Sequence, residues 1–96
     1  MDKREHLLTI FSEECAEVAQ RVSKALRFGT SEIQPGQPWS NGQRIGLEFA
    51  DLMAVWDMLI DEGVLSPPES LDRLIYAKRE KVLKYMDYSR GVGTLR

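Results

Sequence analysis

Apolar residues recur at three- and four-residue steps in two long segments of the chain. In residues 7–28 no Gly or Pro interrupts this repeat, and Gly29 follows as a residue that commonly ends a helix. The second segment runs from Asn41, a suitable N-cap, to about Glu62, where Gly63 is expected to stop it. Residues 30–42 are rich in Pro, Gly, Ser and Asn. The pattern therefore predicts two long amphipathic helices joined by a loop.

A third helix is predicted over residues 66–88. Ser66 is a suitable N-cap, Pro67 suits the first helical position, and Glu69 provides the acidic arm of a capping box. Residues 90–96 are predicted to form a short, flexible tail. No strand pattern or internal repeat is visible, so we expect an all-α single domain spanning residues 1–96. The apolar stripe of the third helix is Leu71, Leu74, Ile75, Val82, Tyr85 and Met86.

Composition excludes several classes of protein. The chain has 96 residues, of which 43% are hydrophobic and 29% charged, as is usual for a globular domain. A net charge of −2 argues against a nucleic-acid-binding protein, and a single cysteine excludes an internal disulfide. The charged N-terminus lacks the apolar core of a signal peptide, and no segment is apolar enough to span a membrane. A cytoplasmic location is expected.

Two acidic pairs lie on or beside apolar helical faces. Glu14 and Glu17 flank the apolar stripe of the first helix, whereas Glu48 and Asp51 lie within a second helix that is apolar nearly all round. If these helices pack antiparallel, the four carboxylates converge. Two like charges at 4 Å repel by about 4 kcal/mol at an effective dielectric constant near 20. The sequence therefore predicts a divalent cation, with Mg²⁺ or Mn²⁺ favoured by the oxygen ligands.

Other kinds of site find less support. Cys15 and His6, the only cysteine and the only histidine, supply neither a zinc site nor the histidines of a di-iron bundle. A hydrolase with a catalytic histidine would depend on His6 in the charged N-terminal segment. No glycine-rich phosphate loop is present.

The acidic motifs resemble those of the MazG-like family, which are all-α nucleoside triphosphate pyrophosphohydrolases. Residues 12–19, SEECAEVA, are similar to the Glu-Glu-x-x-Glu motif of that family, and residues 48–52, EFADL, are similar to its Glu-x-x-Asp motif. The resemblance covers roughly half of the chain. It implies Mg²⁺-dependent hydrolysis of a nucleoside triphosphate between the α and β phosphates, which releases pyrophosphate. The metal ligands it implies are Glu14, Glu17, Glu48 and Asp51.

The resemblance also implies a role for Glu13, and the third helix supplies two further candidates. Glu13 matches the leading glutamate of the first motif, and we expect Glu13 and Glu14 to orient or deprotonate the attacking water. Lys78, within the apolar stripe of the third helix, and the nearby Lys81 are candidates for binding the phosphates. The alternative is that their stems pack while their amines reach solvent.

The loop supplies two candidates for binding the base, which are Trp39 and Asn41. For these residues the alternatives are a hydrophobic plug and a helix N-cap. Cys15, Phe11, Phe49 and Trp56 are predicted to be core residues.

Two competing functions and an oligomeric state complete the expectations. The phosphoribosyl-ATP pyrophosphohydrolases share the small all-α build and similar acidic motifs, so their reaction is an alternative. A catalytically silent helical module that binds nucleotide or protein is another. The long Pro- and Gly-containing loop departs from the commonest family pattern and leaves base preference open. Because the second helix is apolar on two sides, we expect a homodimer or homotetramer with this helix near the interface.

Overall fold

The computed structural model describes all 96 residues and contains three α-helices and no strand. The helices are α1 (Lys3–Phe28), α2 (Asn41–Asp61) and α3 (Leu71–Gly91). This confirms the predicted all-α class. The chain divides into two compact units, Met1–Ser66 with α1 and α2, and Pro67–Arg96 with α3. None of the helices has the length and apolar character needed to cross a membrane.

Helix α1 begins four residues before the predicted start because of a polar cap. The side chain of Asp2 accepts a hydrogen bond from the backbone N–H of Glu5 at 2.8 Å, which satisfies a free donor of the first turn. The apolar repeat only starts at Leu7, so periodicity alone missed this first turn. The predicted end is confirmed: Gly29 has a φ of 99° and its N–H bonds to the carbonyl of Ala25.

Helix α2 begins with a capping box one residue before the predicted N-cap. Ser40 Oγ accepts from the N–H of Gln43 at 3.1 Å, and Ser40 N–H donates to Gln43 Oε1 at 2.9 Å. The prediction that Asn41 is the N-cap is therefore wrong. Both residues can cap a helix, but only Ser40 has a glutamine three positions later; Asn41 has Arg44 there. The end is close to the prediction, because the helix stops at Asp61.

Helices α1 and α2 form an antiparallel hairpin. At one end Lys3 Nζ donates to Glu62 Oε1 at 2.6 Å, and at the other the N–H of Gly42 donates to the carbonyl of Thr30 at 2.9 Å. A side chain at Gly42 would bring a Cβ to 3.3 Å from the Thr30 oxygen, so a glycine allows this close approach. The buried apolar residues of the hairpin are Leu7, Ala25 and Leu59.

Two predicted core residues of the hairpin are exposed. Phe49 exposes 53% of its surface, and Cys15 is exposed as well. Phe11 and Trp56 are half-buried and pack with ring centroids 6.1 Å apart. In a hairpin each helix is covered by its neighbour on one side only. The second apolar side of α2 therefore faces outward, although its apolar sequence predicts that it is buried.

Helix α3 begins at Leu71, so the predicted start at Ser66 is wrong. Its N-cap is Ser70, which has a φ of 54° and makes no capping bond with its side chain. A residue that precedes proline is disfavoured in the α region, and Pro67 precedes Pro68. This preference works against the first turn predicted from Ser66, although each residue in it suits a helix start. The helix ends at Gly91, three residues beyond the predicted end, and contains no buried residue.

Candidate metal centre

Three of the predicted carboxylates meet on the hairpin. Glu14 and Glu17 are one turn apart on α1, and Glu48 faces them from α2. One oxygen from each carboxylate lies within 4.8 Å of the others. The residues come from positions more than thirty apart in sequence, and the antiparallel packing of α1 on α2 brings them together. We call these three residues the acidic cluster.

The acidic cluster contains buried oxygens that no donor satisfies. Glu14 Oε2 and Glu48 Oε2 are both shielded from solvent and accept no hydrogen bond, and Arg21 Nη1 is likewise buried without a partner. Exposed acidic groups are common on proteins that bind no metal. The unpartnered buried oxygens distinguish this cluster, because an unsatisfied buried polar atom is destabilising, and a charged one more so.

The surroundings favour the protonated form of two carboxyls. Desolvation raises the pKa of Glu14, and the negative charges of Asp51, Glu48 and Glu13 raise it further. Desolvation also raises the pKa of Glu48, and the nearby carboxyl of Glu17 and the negative charge of Asp51 raise it further. The positive charge of Arg21 partly opposes this rise in the pKa of Glu48. The cluster is thus short of positive charge.

The donor set of the cluster fits a hard divalent cation. All three groups are carboxylates, the ligand type that Mg²⁺, Mn²⁺ and Ca²⁺ take in proteins. Ligands on opposite sides of an ion lie about 4 Å apart for Mg²⁺ and about 5 Å apart for Ca²⁺, which compares with the 4.8 Å limit within the cluster. A bound cation would satisfy Glu14 Oε2 and Glu48 Oε2 at once.

Two other predicted acidic residues lie beside the cluster. Asp51 is exposed and lies outside the group of three, yet its charge acts on both Glu14 and Glu48. Glu13 is exposed, and its charge acts on Glu14. Asp51 thus adds negative charge at the edge of the cluster and remains available to a cation there.

The predicted substrate-binding residues occupy three different places. Trp39 lies in the loop between α1 and α2 and exposes 47% of its surface. Asn41 is 4% exposed, and its amide donates to the carbonyl of Gly29 at 2.9 Å and to Glu32 Oε1 at 3.1 Å. Its amino group is therefore occupied in holding the loop. Lys78 and Lys81 are exposed on α3, in the second unit.

Sequence analysis missed Arg21 and a nearby cavity. Arg21 follows Glu17 by four residues, and this spacing places both on one face of α1. This four-residue spacing could have predicted that Arg21 lies beside the acidic residues. The cavity has a volume of about 380 Å³ and lies between the last turn of α1, the loop and the start of α2. It depends on the loop conformation, which no periodicity predicts. We call it the loop pocket; its walls include Lys24, Arg27, Phe28, Glu32, Gln34 and Asn41.

No family model, curated protein or solved structure gives a significant match to this chain. The resemblance to the MazG-like family therefore rests on the two acidic motifs alone and stays a prediction.

Proposed function

We propose that this protein is a Mg²⁺-dependent nucleoside triphosphate pyrophosphohydrolase that cleaves between the α and β phosphates. The observation that carries the proposal is the meeting of Glu14, Glu17 and Glu48 around buried oxygens that lack partners. Those three are the residues that match the metal-ligand positions of the MazG-like motifs, together with Asp51. The support thus comes from the two sequence motifs and from the geometry of the acidic cluster.

Each acidic residue has a defined part in this proposal. Glu14, Glu17 and Glu48 hold the cation, and Asp51 completes the ligand set at its edge. A bound Mg²⁺ offsets the charge of the triphosphate and makes water a better nucleophile. Glu13 and Glu14 orient the attacking water and take up its proton.

The substrate contacts proposed outside the acidic cluster are Lys78, Lys81, Trp39 and Asn41. The lysines are exposed and make no ion pair, so their charges are available to phosphates. Trp39 offers a half-exposed aromatic ring for stacking. Only the carbonyl oxygen of Asn41 is available to a ligand, because its amino group is engaged in the loop.

We further propose that the active form is a homodimer or homotetramer. The side of α2 that α1 does not cover is apolar and exposed, and packing it against a second copy of the chain would remove that surface from water. Light scattering that shows a monomer at micromolar concentration would refute this assembly. The outward face of α2 supplies exposed apolar residues, namely Leu47, Phe49, Met53 and Met58.

The function is tested by pyrophosphate release from ribo- and deoxyribonucleoside triphosphates with Mg²⁺. Wild type should release pyrophosphate only with the metal, and Glu48→Gln should reduce the rate at least a hundredfold because it removes a charged ligand. Glu69→Gln is the matched control, since Glu69 is exposed in the second unit. Folded protein that releases no pyrophosphate across the panel would contradict the proposal.

The two alternatives predict different outcomes of the same experiment. If phosphoribosyl-ATP is the only compound hydrolysed, the protein is a pyrophosphohydrolase with a different substrate from the one proposed. A catalytically silent module would release nothing from any of these compounds. Binding of Mg²⁺ then separates a retained but inactive site from a protein–protein interaction module, which has no need of the metal.

A further inference from the structure

The loop pocket has walls that differ chemically from the acidic cluster. Lys24, Arg27 and Phe28 come from the last turns of α1, Glu32 and Gln34 from the loop, and Asn41 from the start of α2. Neither Lys24 nor Arg27 takes part in an ion pair. The pocket therefore combines free cations with amide and carboxylate groups in a volume of about 380 Å³.

Hydrogen bonds fix the polar groups of the pocket in defined orientations. Asn41 holds Glu32 Oε1 at 3.1 Å, which leaves Glu32 Oε2 free as an acceptor. Arg44 Nη1 donates to Gln34 Oε1 at 3.0 Å, which leaves the amino group of Gln34 free as a donor. Lys24 Nζ is a second free donor. Because its partner Asn41 is itself buried and held by Gly29, Glu32 is presented on a rigid frame.

The pocket also has a flat stacking surface. The guanidinium carbon of Arg27 lies 4.9 Å from the centroid of the Phe28 ring. Guanidinium planes and aromatic rings are the surfaces on which single nucleobases commonly stack. Glu32, Gln34 and Lys24 line the same pocket as this surface.

These features select a heterocycle over a phosphate. A phosphate only accepts hydrogen bonds at its ionised oxygens, and it would meet the Glu32 carboxylate, while the negative end of α1 and the positive end of α2 act on the pocket in opposite directions. A nucleobase both donates and accepts. A free carboxylate oxygen accepts from an exocyclic amino group, as when Glu or Asp contacts the amino group of cytosine. We propose that the loop pocket binds the base of a nucleotide and that Glu32 selects bases that carry an exocyclic amino group.

The position of the loop pocket is compatible with binding a base. The role of this base in substrate selection rests on the proposed function. Lys24 follows Glu17 by seven residues, which places it on the same face of α1 at about 10 Å along the axis. The ribose and phosphates of a nucleotide span such a distance. A base in the loop pocket therefore leaves the phosphates at the acidic cluster.

The test is an NMR titration of the metal-free protein with nucleosides, which lack phosphates and so report on the pocket alone. Cytidine and adenosine should shift the backbone amide signals of residues 24–41 and bind about tenfold more tightly than uridine. Glu32→Gln should abolish this preference, while its amide oxygen still accepts the bond from Asn41. Arg27→Gln should weaken the binding of all three nucleosides by a similar factor, because it removes the stacking surface. Glu69→Gln should change nothing.

Hydrolysis separates this proposal from the function on which it rests. In Glu32→Gln the ratio of kcat/KM for CTP over UTP should fall about tenfold, with pyrophosphate release retained. Pyrophosphate release with an unchanged ratio, or nucleosides that shift no signal in residues 24–41, would overturn the base pocket and leave the hydrolase proposal intact. Selective nucleoside binding without any pyrophosphate release would keep the pocket and remove the hydrolase.

Discussion

The helical hairpin and helix α3 carry similar apolar repeats, yet only the hairpin contains buried residues. In Met1–Ser66 the side chain of Leu59 is fully buried and Leu7 and Ala25 are nearly so. In α3 no residue is buried, and Leu74 and Ile75 each expose 51% of their surface. An amphipathic repeat thus predicts that a segment is helical but does not predict what covers its apolar face.

Charge divides the two units as clearly as burial does. Met1–Ser66 carries six basic and eleven acidic side chains, a net charge of −5, whereas Pro67–Arg96 carries seven basic and four acidic, a net charge of +3. The small net charge of the whole chain is therefore the sum of two units with net charges of opposite sign. The acidic chemistry belongs to the hairpin alone, and the five predictions that follow test this contrast from the largest expected effect to the smallest.

Truncating a buried side chain of the hairpin should have the largest effect on stability. Leu59→Ala should lower the free energy of unfolding by about 3 kcal/mol, because it removes buried methyl groups and leaves a cavity. Leu26→Ala is the matched control, since Leu26 is 82% exposed on α1, and it should cost less than about 0.5 kcal/mol. Urea denaturation measures both. Equal losses would show that the exposed face of α1 is covered in solution.

Divalent cations should stabilise the hairpin through the acidic cluster. Mg²⁺ at a hundred times its dissociation constant should add about 2.7 kcal/mol to the free energy of unfolding. Glu48→Gln should remove this gain, whereas Glu80→Gln on α3 should keep it. Thermal unfolding with Mg²⁺ and with EDTA is the measurement. If wild type gains no stability from any divalent cation, the metal assignment fails.

Lys78 tests whether α3 contributes to substrate binding. Lys78→Ala should raise KM for a triphosphate about tenfold, equivalent to about 1.4 kcal/mol, through loss of a contact with the phosphates. Its Tm should stay unchanged because Lys78 is exposed. Arg79→Ala, a neighbouring exposed cation, serves as the control in the same steady-state assay. An unchanged KM in Lys78→Ala would remove this residue from the site.

The two serine start signals should differ in their contribution to stability. Ser40→Ala breaks the capping box of α2 and should cost about 1 kcal/mol, whereas Ser66→Ala lies outside any helix and should cost nearly nothing. Denaturant unfolding of the two variants provides the comparison. A comparable loss in Ser66→Ala would mean that α3 begins at Ser66 in solution.

Lowering the pH should stabilise the metal-free protein slightly. The folded-state pKa values of Glu14 and Glu48 lie above the ordinary glutamate value of 4.5, so the folded state binds protons more tightly than the unfolded state. Stability should therefore rise as the pH falls from neutral through the raised pKa values towards 4.5, and fall as the pH rises. Thermal unfolding across this range measures the effect. The double variant Glu14→Gln, Glu48→Gln should flatten it, and an unchanged profile in that variant would contradict the assignment.

Local sequence signals predicted the helices well wherever the decisive contacts were local. Gly29 ends α1 because its positive φ is a property of one residue and its neighbours. The predicted start of α3 was wrong. Ser66 and Pro67 both favour a helix start, but Pro68 disfavours the α conformation of the residue before it. The prediction of Asn41 as the N-cap was wrong because Ser40 forms a capping box with Gln43.

The sequence by itself determined three helices, the loop between the first two, and two acidic pairs at helical spacing. Each of these follows from the period of the helix and from the preferences of single residues. Only the tertiary structure decided that Glu48 meets Glu14 and Glu17 while Asp51 stays at the edge, and that Glu32 is held by Asn41 beside a pocket. The reason is that these contacts join distant parts of the chain. Their distances depend on how α1 and α2 are rotated against each other and on one loop conformation, which no local repeat encodes.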